Sequence, residues 1–270
     1  MGNKKLTLKE IKNIELSILI SFDRFCKENS LTYYLAGGTL LGAIRHKGFI
    51  PWDDDIDVCM PRKDYNYFIR NFDGHRKLKV LSNVLNNFSS PFTKIVRTDT
   101  KLVKQFNSEI TDEGLWIDVL PVDGLPENLE IVCEIYDRCD FFRKVYGLTT
   151  CKLGEGKTTF RKYAKYLLKP LAKLYGKQRC IDNIEKIAAK YPYDGCKYVG
   201  IVTWGLYGAG ERMLKSEFEE PIEVEFEGHK FPAFSCWDSY LKGLYGDYMQ
   251  LPPVEKRKTH DMVAYLIEED

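Results

Sequence analysis

The chain has 270 residues, 44% of them hydrophobic, so it can bury a core sufficient for one large domain or two small ones. Its formal net charge is +1, so overall charge selects no class of partner and excludes a strongly basic or acidic protein. It contains no apolar run of about 18 residues, and its first residues lack the apolar stretch of a secretory signal. We therefore expect a cytoplasmic protein without a membrane-spanning helix.

Eight cysteines are scattered along the chain without a Cys-x-x-Cys pair. Because no secretory signal precedes them, we expect buried free thiols rather than disulfides. A zinc site formed by Cys133, Cys139 and Cys151 is an alternative that their loose spacing disfavours.

The first predicted element is a helix from Thr7 to Glu28, in which Thr7 and Glu10 form a capping box. A short apolar run, Tyr33 to Ala36, then predicts a strand that ends at Gly37-Gly38-Thr39. This glycine turn opens a short helix over Leu40 to Ile44. A helix N-terminus with glycines can bind phosphate through its backbone N–H groups. Taken alone, such a turn is more often a tight turn without a ligand.

A cluster of four aspartates within five positions is the most distinctive feature of the sequence: Asp53, Asp54, Asp55 and Asp57. Residues 55–60 predict a strand, whose alternation places three aspartates on one face and puts Ile56 and Val58 in the core. The three are Asp53, Asp55 and Asp57. Carboxylates this close repel one another, and they are tolerable when they bind a hard divalent cation, which prefers oxygen ligands.

Two other interpretations of the aspartates remain. An EF-hand loop also starts with alternating aspartates, but Val58 and Asp64 stand where a loop beginning at Asp53 needs Gly and Glu. A solvated acidic turn is the second alternative. It is disfavoured because apolar residues alternate into the cluster on both sides.

A basic loop, Arg45-His46-Lys47, lies between the glycine turn and the aspartates. Arg45 is a candidate contact for a nucleotide diphosphate, and a solvated loop is the alternative. Beyond the aspartates we predict a helix from Pro61 to Asn71 and strands at Lys79–Leu81 and Phe92–Arg97.

A later strand, Leu115 to Pro121, carries one carboxylate, Asp118, inside an apolar run. A charge in a buried strand is costly unless it is paired or bound to a metal. Trp116 shares the face of Asp118 because side chains alternate with a period of two. A structural aspartate in a salt bridge is the alternative.

The rest of the chain is predicted to be mainly helical, with two strands. The predicted helices are Glu127–Gly147, Gln178–Lys190 and Cys236–Tyr245, and the predicted strands are Tyr198–Trp204 and Ile222–Phe226. Residues 154–159 superficially resemble a P-loop, but Cys151 stands where that motif needs Gly, so we reject it.

The segment Phe160–Arg179 combines basic residues with apolar residues at helical spacing and contains no Asp or Glu. Pro170 is expected to kink or split it. Such a segment is typical of a helix that lies on an anionic membrane, and an ordinary surface helix with outward lysines is an equal alternative. Nucleic acid is not an expected partner, because no recognised binding module accompanies the basic residues.

Several motifs together resemble the signature of the LicD family, the phosphocholine transferases of bacterial surface polymers, to which the fukutin proteins are distantly related. The motifs are Gly37-Gly38-Thr39, Leu41-Gly42-Ala43-Ile44-Arg45-His46, Gly48-Phe49-Ile50-Pro51-Trp52-Asp53 and Asp55-Ile56-Asp57. The resemblance continues in Tyr245-Gly246-Asp247-Tyr248-Met249, Leu251-Pro252-Pro253, Lys256-Arg257 and His260. It is least diagnostic from about Glu127 to Tyr198.

This resemblance implies a nucleotidyltransferase-like α+β fold, with a mixed sheet flanked by helices and a helical second half. Residues 1–126 would form the catalytic core. Residues 127–195 would be a helical insertion facing a membrane, and residues 196–270 would complete the same domain.

The resemblance also implies an activity: metal-dependent transfer of phosphocholine from CDP-choline to a hydroxyl of a cell-surface glycan or glycolipid, with release of CMP. The acceptor would be a precursor of teichoic acid, lipopolysaccharide or capsule, and the enzyme would lie at the inner face of the plasma membrane. Mg²⁺ or Mn²⁺ would be held by Asp53, Asp55, Asp57 and Asp118. The catalytic residues would be Asp55, Asp57 and Asp118, and the phosphates would contact Gly37, Gly38, Thr39, Arg45 and Lys94.

Choline carries a quaternary ammonium group, which aromatic faces attract. The four tryptophans are candidates for a cage around it: Trp52, Trp116, Trp204 and Trp237. Trp52 and Trp116 are nearest to the aspartates. Three alternatives to this function remain: transfer of another alcohol phosphate, true nucleotidyl transfer with release of pyrophosphate, and a metal-dependent glycan-binding module without catalysis.

Overall fold

The computed structural model describes residues 4–74, 77–104, 114–154, 158–257 and 262–267. The helices are α1 (Leu8–Glu28), α2 (Gly37–His46), α3 (Arg62–Asn71), α4 (Leu129–Thr150), α5 (Thr159–Tyr175), α6 (Lys177–Ala188), α7 (Lys215–Phe218) and α8 (Trp237–Tyr245). The strands are β1 (Lys4–Lys5), β2 (Tyr34–Leu35), β3 (Asp57–Pro61), β4 (Leu78–Leu81), β5 (Thr93–Arg97), β6 (Thr100–Lys104), β7 (Trp116–Leu125), β8 (Tyr198–Ile201), β9 (Arg212–Leu214), β10 (Pro221–Phe226), β11 (His229–Phe234) and β12 (Met262–Leu266). A short 3-10 turn, Gly208–Glu211, precedes β9.

The central sheet is mixed and is built around β7, the longest strand. Its order is β2-β3-β7-β5-β4, and β8 joins β7 and carries β9. β3 runs parallel to β7, whereas β5 and β8 pair with β7 antiparallel, β5 near its start and β8 near its end. The expected α+β fold with a mixed sheet flanked by helices is therefore confirmed.

Helix α1 covers one face of this sheet. The predicted capping box is present, since Thr7 and Glu10 satisfy each other's backbone N–H groups. Behind the cap, Ile18, Leu19 and Phe22 are fully buried. The ring of Phe22 packs edge-on against Phe68 of α3 at 5.1 Å between centroids. Each such buried side chain contributes about 1.5–3 kcal/mol to stability.

The second half opens with three consecutive helices and then returns to the sheet. Helices α4 and α6 bury a small core of their own, in which Val132, Cys139 and Ile184 are fully buried. The predicted strand at Ile222–Phe226 is confirmed, and it pairs with a partner that the sequence did not predict, β11, to form a hairpin. The division into residues 1–126, 127–195 and 196–270 stays a prediction.

The basic segment Phe160–Arg179 is expected to kink or split at Pro170, but helix α5 ends at a different residue. Pro170 lies inside the helix, and the break falls at Gly176, whose φ of +99° is a conformation that favours glycine. The side chains of residues 159–162 lie outside the described part. Beyond them the helix exposes apolar side chains, including Leu167 at 77% and Leu174 at 82% of their surface. None of the described helices has the length and apolar character that crossing a membrane requires.

Candidate active site

The glycine turn is hydrogen-bonded to the start of β3. Helix α2 begins at Gly37, three residues earlier than the sequence predicted, because Gly37 adopts a φ of +51° that turns the chain out of β2. The N–H of Ala36 donates to the carbonyl of Asp57 at 3.0 Å. The backbone N–H of Asp57 donates to the Thr39 hydroxyl at 2.8 Å. Thr39 therefore holds the turn against the aspartates by its side chain.

The aspartates occupy the loop before β3 and the first position of the strand. The strand begins at Asp57 rather than at Asp55, so Asp55 lies in the loop. Asp53, Asp55 and Asp57 line one cavity together with Gly37 and Gly38. Ile56 is fully buried, as the alternation predicted, and Asp54 is buried and does not line the cavity. Neither the EF-hand nor the solvated turn describes this arrangement, since Asp57 begins a core strand.

Asp118 reaches the same cavity from the neighbouring strand. It lies opposite Asp57 in the parallel pairing of β3 with β7 and opposite Lys94 in the antiparallel pairing of β5 with β7. The Lys94 ammonium is 3.9 Å from Asp118 Oδ1 and 3.5 Å from the centre of the Trp116 ring. Lys94 thus lies behind Asp118 and outside the cavity lining, so its contact with phosphate stays a prediction. Trp116 packs under Lys94.

The opposite wall of the cavity comes from the loop after β8 and from α8. The cavity has a volume of about 330 Å³. Its residues outside the aspartates and the glycine turn are Leu120, Ile201, Trp204, Leu206, Tyr207, Glu211, Tyr240, Leu244 and Tyr245. Four of these residues are aromatic and one, Glu211, is acidic. We call the five together the aromatic wall: Trp204, Tyr207, Glu211, Tyr240 and Tyr245. Of its members, only Trp204 is a ligand-binding candidate on the sequence alone.

The two parts of the aromatic wall are joined by a direct contact between two glycines. A Cβ on Gly210 would lie 2.3 Å from the carbonyl oxygen of Gly243, and a Cβ on Gly243 would lie 2.3 Å from that of Gly210. This contact brings the turn that carries Tyr207 and Glu211 against the helix that carries Tyr245. The N–H of Gly37 donates to the Tyr240 hydroxyl at 3.4 Å, which connects α8 to the glycine turn.

Arg143 of α4 holds the loop that carries Trp204. Its guanidinium is buried and donates to the carbonyl oxygens of Val202, Thr203 and Gly205 at 3.1, 3.4 and 2.8 Å. Five N–H groups in a fixed fork make arginine suited to such multiple contacts. The first helix of the second half therefore supports the cleft from behind.

Three other predicted ligand-binding residues, Arg45, Trp52 and Trp237, lie outside the cavity lining. Arg45 is at the far end of α2, where it donates to the backbone carbonyl of Tyr248 and to His46. Trp52 has the guanidinium of Arg257 at 4.7 Å from its ring centre. Trp237 is partly buried against the main core. Roles for Arg45 and Trp52 in ligand binding stay predictions, and His260 lies outside the described residues.

Acidic side chains dominate the polar lining of the cavity. Burial raises the pKa of Asp57 well above its usual range, and the neighbouring charges of Asp55, Asp118, Asp53 and Glu211 add to the shift. Burial also raises the pKa of Glu211 to about 8, opposed by the N–H of Tyr207 and by Arg143. A cation entering the cavity would relieve this repulsion.

The kind of donor fits a hard divalent cation, because four aspartate carboxylates line the cavity and offer only oxygen ligands. As the side chains stand, no group of three His, Cys, Asp or Glu among the described residues is arranged so that it could hold a metal ion. Cys133, Cys139 and Cys151 are free thiols that form no such group, so the alternative zinc site gains no support.

A mixed sheet with carboxylates on adjacent strands, beside a helix that starts at a glycine turn, defines an α+β protein of the nucleotidyltransferase type. A family model described as "LicD/FKTN/FKRP, nucleotidyltransferase domain" matches residues 30–153. The lipopolysaccharide cholinephosphotransferase LicD of Haemophilus influenzae is 33% identical over 273 residues, which covers 98% of this chain and 100% of that protein. The chain therefore belongs to the LicD family, and it is an enzyme of the phosphotransferase class.

Two uncharacterised proteins match only a part of the chain. One from Rickettsia typhi is 35% identical over 66 residues, and one from Rickettsia prowazekii is 49% identical over 63 residues. Each match covers 21% of the rickettsial protein and about a quarter of this chain.

Proposed function

We propose that this enzyme transfers phosphocholine from CDP-choline to a hydroxyl of a cell-surface glycan or glycolipid, with a lipopolysaccharide precursor as the first candidate acceptor. One observation supports the proposal most directly. A single cavity joins the carboxylates of Asp55, Asp57 and Asp118 to an aromatic wall. The first part suits a diphosphate with its cation, and the second suits a choline group.

Each part of the cavity has a role in the proposed reaction. Asp55, Asp57 and Asp118 would hold Mg²⁺ or Mn²⁺, with Asp53 as an outer ligand, and the ion would neutralise charge on the diphosphate and the leaving CMP. The N-terminus of α2 at Gly37 and Gly38 would orient the phosphate oxygens.

The bond changes in the reaction are simple. The acceptor hydroxyl oxygen forms a bond to the phosphorus of phosphocholine, and the bond from that phosphorus to the CMP oxygen breaks. A cavity carboxylate would take the proton of the hydroxyl. Asp118 is the candidate for this role, because it faces the cavity from a different strand than Asp57.

The test is CMP release from CDP-choline in the presence of Mg²⁺ and a membrane glycolipid extract. We expect release by the wild-type enzyme and its loss in Asp55→Asn. Asp194→Asn is the matched control, because Asp194 is exposed and its side chain lies outside the cavity. Release of phosphocholine instead of CMP would replace the proposal with transfer of the nucleotidyl half. Release from another CDP-alcohol but not from CDP-choline would change the donor.

A lipid-linked acceptor would place the enzyme at a membrane surface, and α5 is the candidate contact. Its apolar side chains beyond residue 162 are exposed, and lysines flank them without an intervening acidic residue. Exposed apolar residues with basic neighbours favour an anionic bilayer at the cytoplasmic face.

Sedimentation with vesicles tests this contact. We expect the protein to sediment with phosphatidylglycerol vesicles and not with phosphatidylcholine vesicles. The double substitution Leu167→Gln, Leu174→Gln should abolish it, whereas Leu129→Gln on α4, also exposed, should not. Equal sedimentation of all three proteins would assign α5 to an ordinary surface helix.

A further inference from the structure

We propose that the aromatic wall is a binding site for a quaternary ammonium group, in which Trp204, Tyr207 and Tyr245 supply ring faces and Glu211 supplies the opposite charge. The assignment of this site to the choline end of the donor rests on the proposed function. The site itself rests on the geometry of the cavity.

Two of the rings, those of Tyr207 and Tyr245, form a corner in the cavity lining. Tyr207 and Tyr245 have centroids 5.1 Å apart and planes inclined at 76°, so their faces point in nearly perpendicular directions. Trp204 lines the same cavity and is backed by Phe92 at 4.8 Å. Tyr207 remains 46% exposed, which leaves its ring at the rim of the cavity. Aromatic faces attract a cation that lies within about 6 Å of the ring centre.

Glu211 gives this corner an acidic group, whose ionised form a cationic ligand would favour. It is 3% exposed and lines the cavity, and its carboxylate accepts the N–H of Tyr207 at 3.3 Å. Across the described part of the chain, no Lys, Arg or His side chain forms an ion pair with Glu211 within 4.0 Å. The nearby Arg143 instead directs its guanidinium to backbone carbonyl oxygens. A buried carboxylate without a contacting cation is costly, and a cationic ligand would offset that cost.

The chemistry of the wall selects the kind of cation. A hard divalent ion prefers several oxygen ligands, and in this cavity the aspartates supply them. A primary ammonium needs hydrogen-bond acceptors for its three N–H groups. A quaternary ammonium has no donor and a large, weakly hydrated surface, so one carboxylate and several ring faces satisfy it.

The test compares the binding of CDP-choline with that of its uncharged carbon isostere, the CDP ester of 3,3-dimethylbutanol, by calorimetry in Mg²⁺. The two donors have the same shape and differ in the positive charge. We expect the wild-type enzyme to bind CDP-choline about tenfold more tightly. Glu211→Gln should reduce this preference to less than about threefold, and Glu220→Gln, at an exposed position, should leave it unchanged.

A second pair of variants keeps the test valid if Glu211→Gln fails to fold. Tyr245→Phe retains a ring face, whereas Tyr245→Leu removes it. We expect the first to keep the preference for CDP-choline and the second to lose most of it. Thermal unfolding verifies that the compared variants are folded.

The outcomes separate this proposal from the transferase reaction, because binding needs neither acceptor nor turnover. Equal affinity of the wild-type enzyme for both donors overturns the ammonium site, even if CMP is released. Equal weakening of both donors by Glu211→Gln and by Tyr245→Leu overturns it as well. Selective binding of CDP-choline without CMP release supports the ammonium site and rejects the reaction.

Discussion

Gly38 lies directly against the carboxylate of Asp53: a Cβ on Gly38 would be 2.8 Å from Asp53 Oδ2. Gly37 stands in the same relation to Asp57, whose Oδ2 would be 3.1 Å from its Cβ. The glycine turn and the aspartates therefore share one surface. A ligand held by the backbone of the turn would be within reach of the carboxylates. This close approach explains why two glycines occur here, beyond the need for a tight turn.

Gly38→Ala should disrupt the cavity with little effect on the rest of the fold. The added methyl group must displace Asp53 or the turn, and a shift of about 1 Å can lower a rate by about a hundredfold. We expect a loss of CMP release of that order. Gly147→Ala is the matched control, since a Cβ there meets nothing within 4 Å. Gly147 lies inside α4, so alanine should raise the free energy of unfolding by about 0.5–1 kcal/mol and leave activity intact. Full activity in Gly38→Ala would separate the turn from the active site.

The aspartates that line the cavity could be predicted from the sequence, because short-range patterns of polar and apolar residues identify them. Alternation identified Ile56 as core and Asp57 as facing the opposite side, and the lone carboxylate in an apolar strand singled out Asp118. The sequence places the start of β3 two residues too early. The alternating pattern already begins in the loop, before the first residue of β3 that pairs with β7. The position of Lys94 could not be predicted, for a different reason. Its position opposite Asp118 depends on the register of two strands, which the pattern of one strand does not contain.

The aromatic wall could not be predicted from local patterns. It depends on the contact of Gly210 with Gly243, which lie on separate elements, and no periodicity links them. Tyrosines at helical spacing, such as Tyr240, are indistinguishable from ordinary core residues in sequence. Tyr245 had one usable signal, its place at the start of the C-terminal family motif. For Glu211 the sequence offers no signal of a role in the site other than the glycine-rich turn that precedes it.

Arg143→Met should weaken donor binding more than it slows the chemical step. Methionine fills the space but leaves the carbonyl oxygens of Val202, Thr203 and Gly205 without their donor, so the loop that carries Trp204 should shift. We expect the KM for CDP-choline to rise about tenfold, with a smaller change in kcat. Arg138→Met on the same helix removes an exposed arginine that pairs with Glu134, and it should change neither constant. An unchanged KM in Arg143→Met would show that the loop does not need this support.

Arg62→Met should destabilise the fold strongly. Arg62 at the start of α3 binds Asp123 of β7 at 2.6 and 2.8 Å and Glu185 of α6 at 2.8 Å, so it joins the sheet to the second-half helices. Removing it leaves a buried carboxylate without a partner, which costs about 3–5 kcal/mol. Urea denaturation measures the loss.

The control for this change is Lys144→Met, which breaks an exposed pair with Asp140 on α4. Surface pairs of this kind contribute less than about 1 kcal/mol. If the two variants lose similar stability, Arg62 does not act as a buried connection between the sheet and α6.

The pKa of Glu211 makes part of the stability of the protein dependent on pH. Burial raises this pKa to about 8, whereas a free glutamate has a pKa of 4.5. Because the folded state holds its proton more tightly, the stability from protonated Glu211 is fully present below pH 4.5 and is lost as the pH rises through 8. Glu211→Gln should therefore lose less stability than the wild-type enzyme between pH 5 and pH 8.5, by a few kcal/mol.

Urea denaturation of both proteins at the two pH values measures this contribution together with the part of the Asp57 shift that Glu211 causes, whereas Glu15 titrates in both proteins. Glu220→Gln should follow the wild-type enzyme, since Glu220 is exposed. A cationic ligand favours the ionised carboxylate, so CDP-choline should reduce the loss of stability at high pH in the wild-type enzyme and not in Glu211→Gln. Parallel pH profiles for the wild-type enzyme and Glu211→Gln would mean that the carboxylate is already ionised in the folded protein.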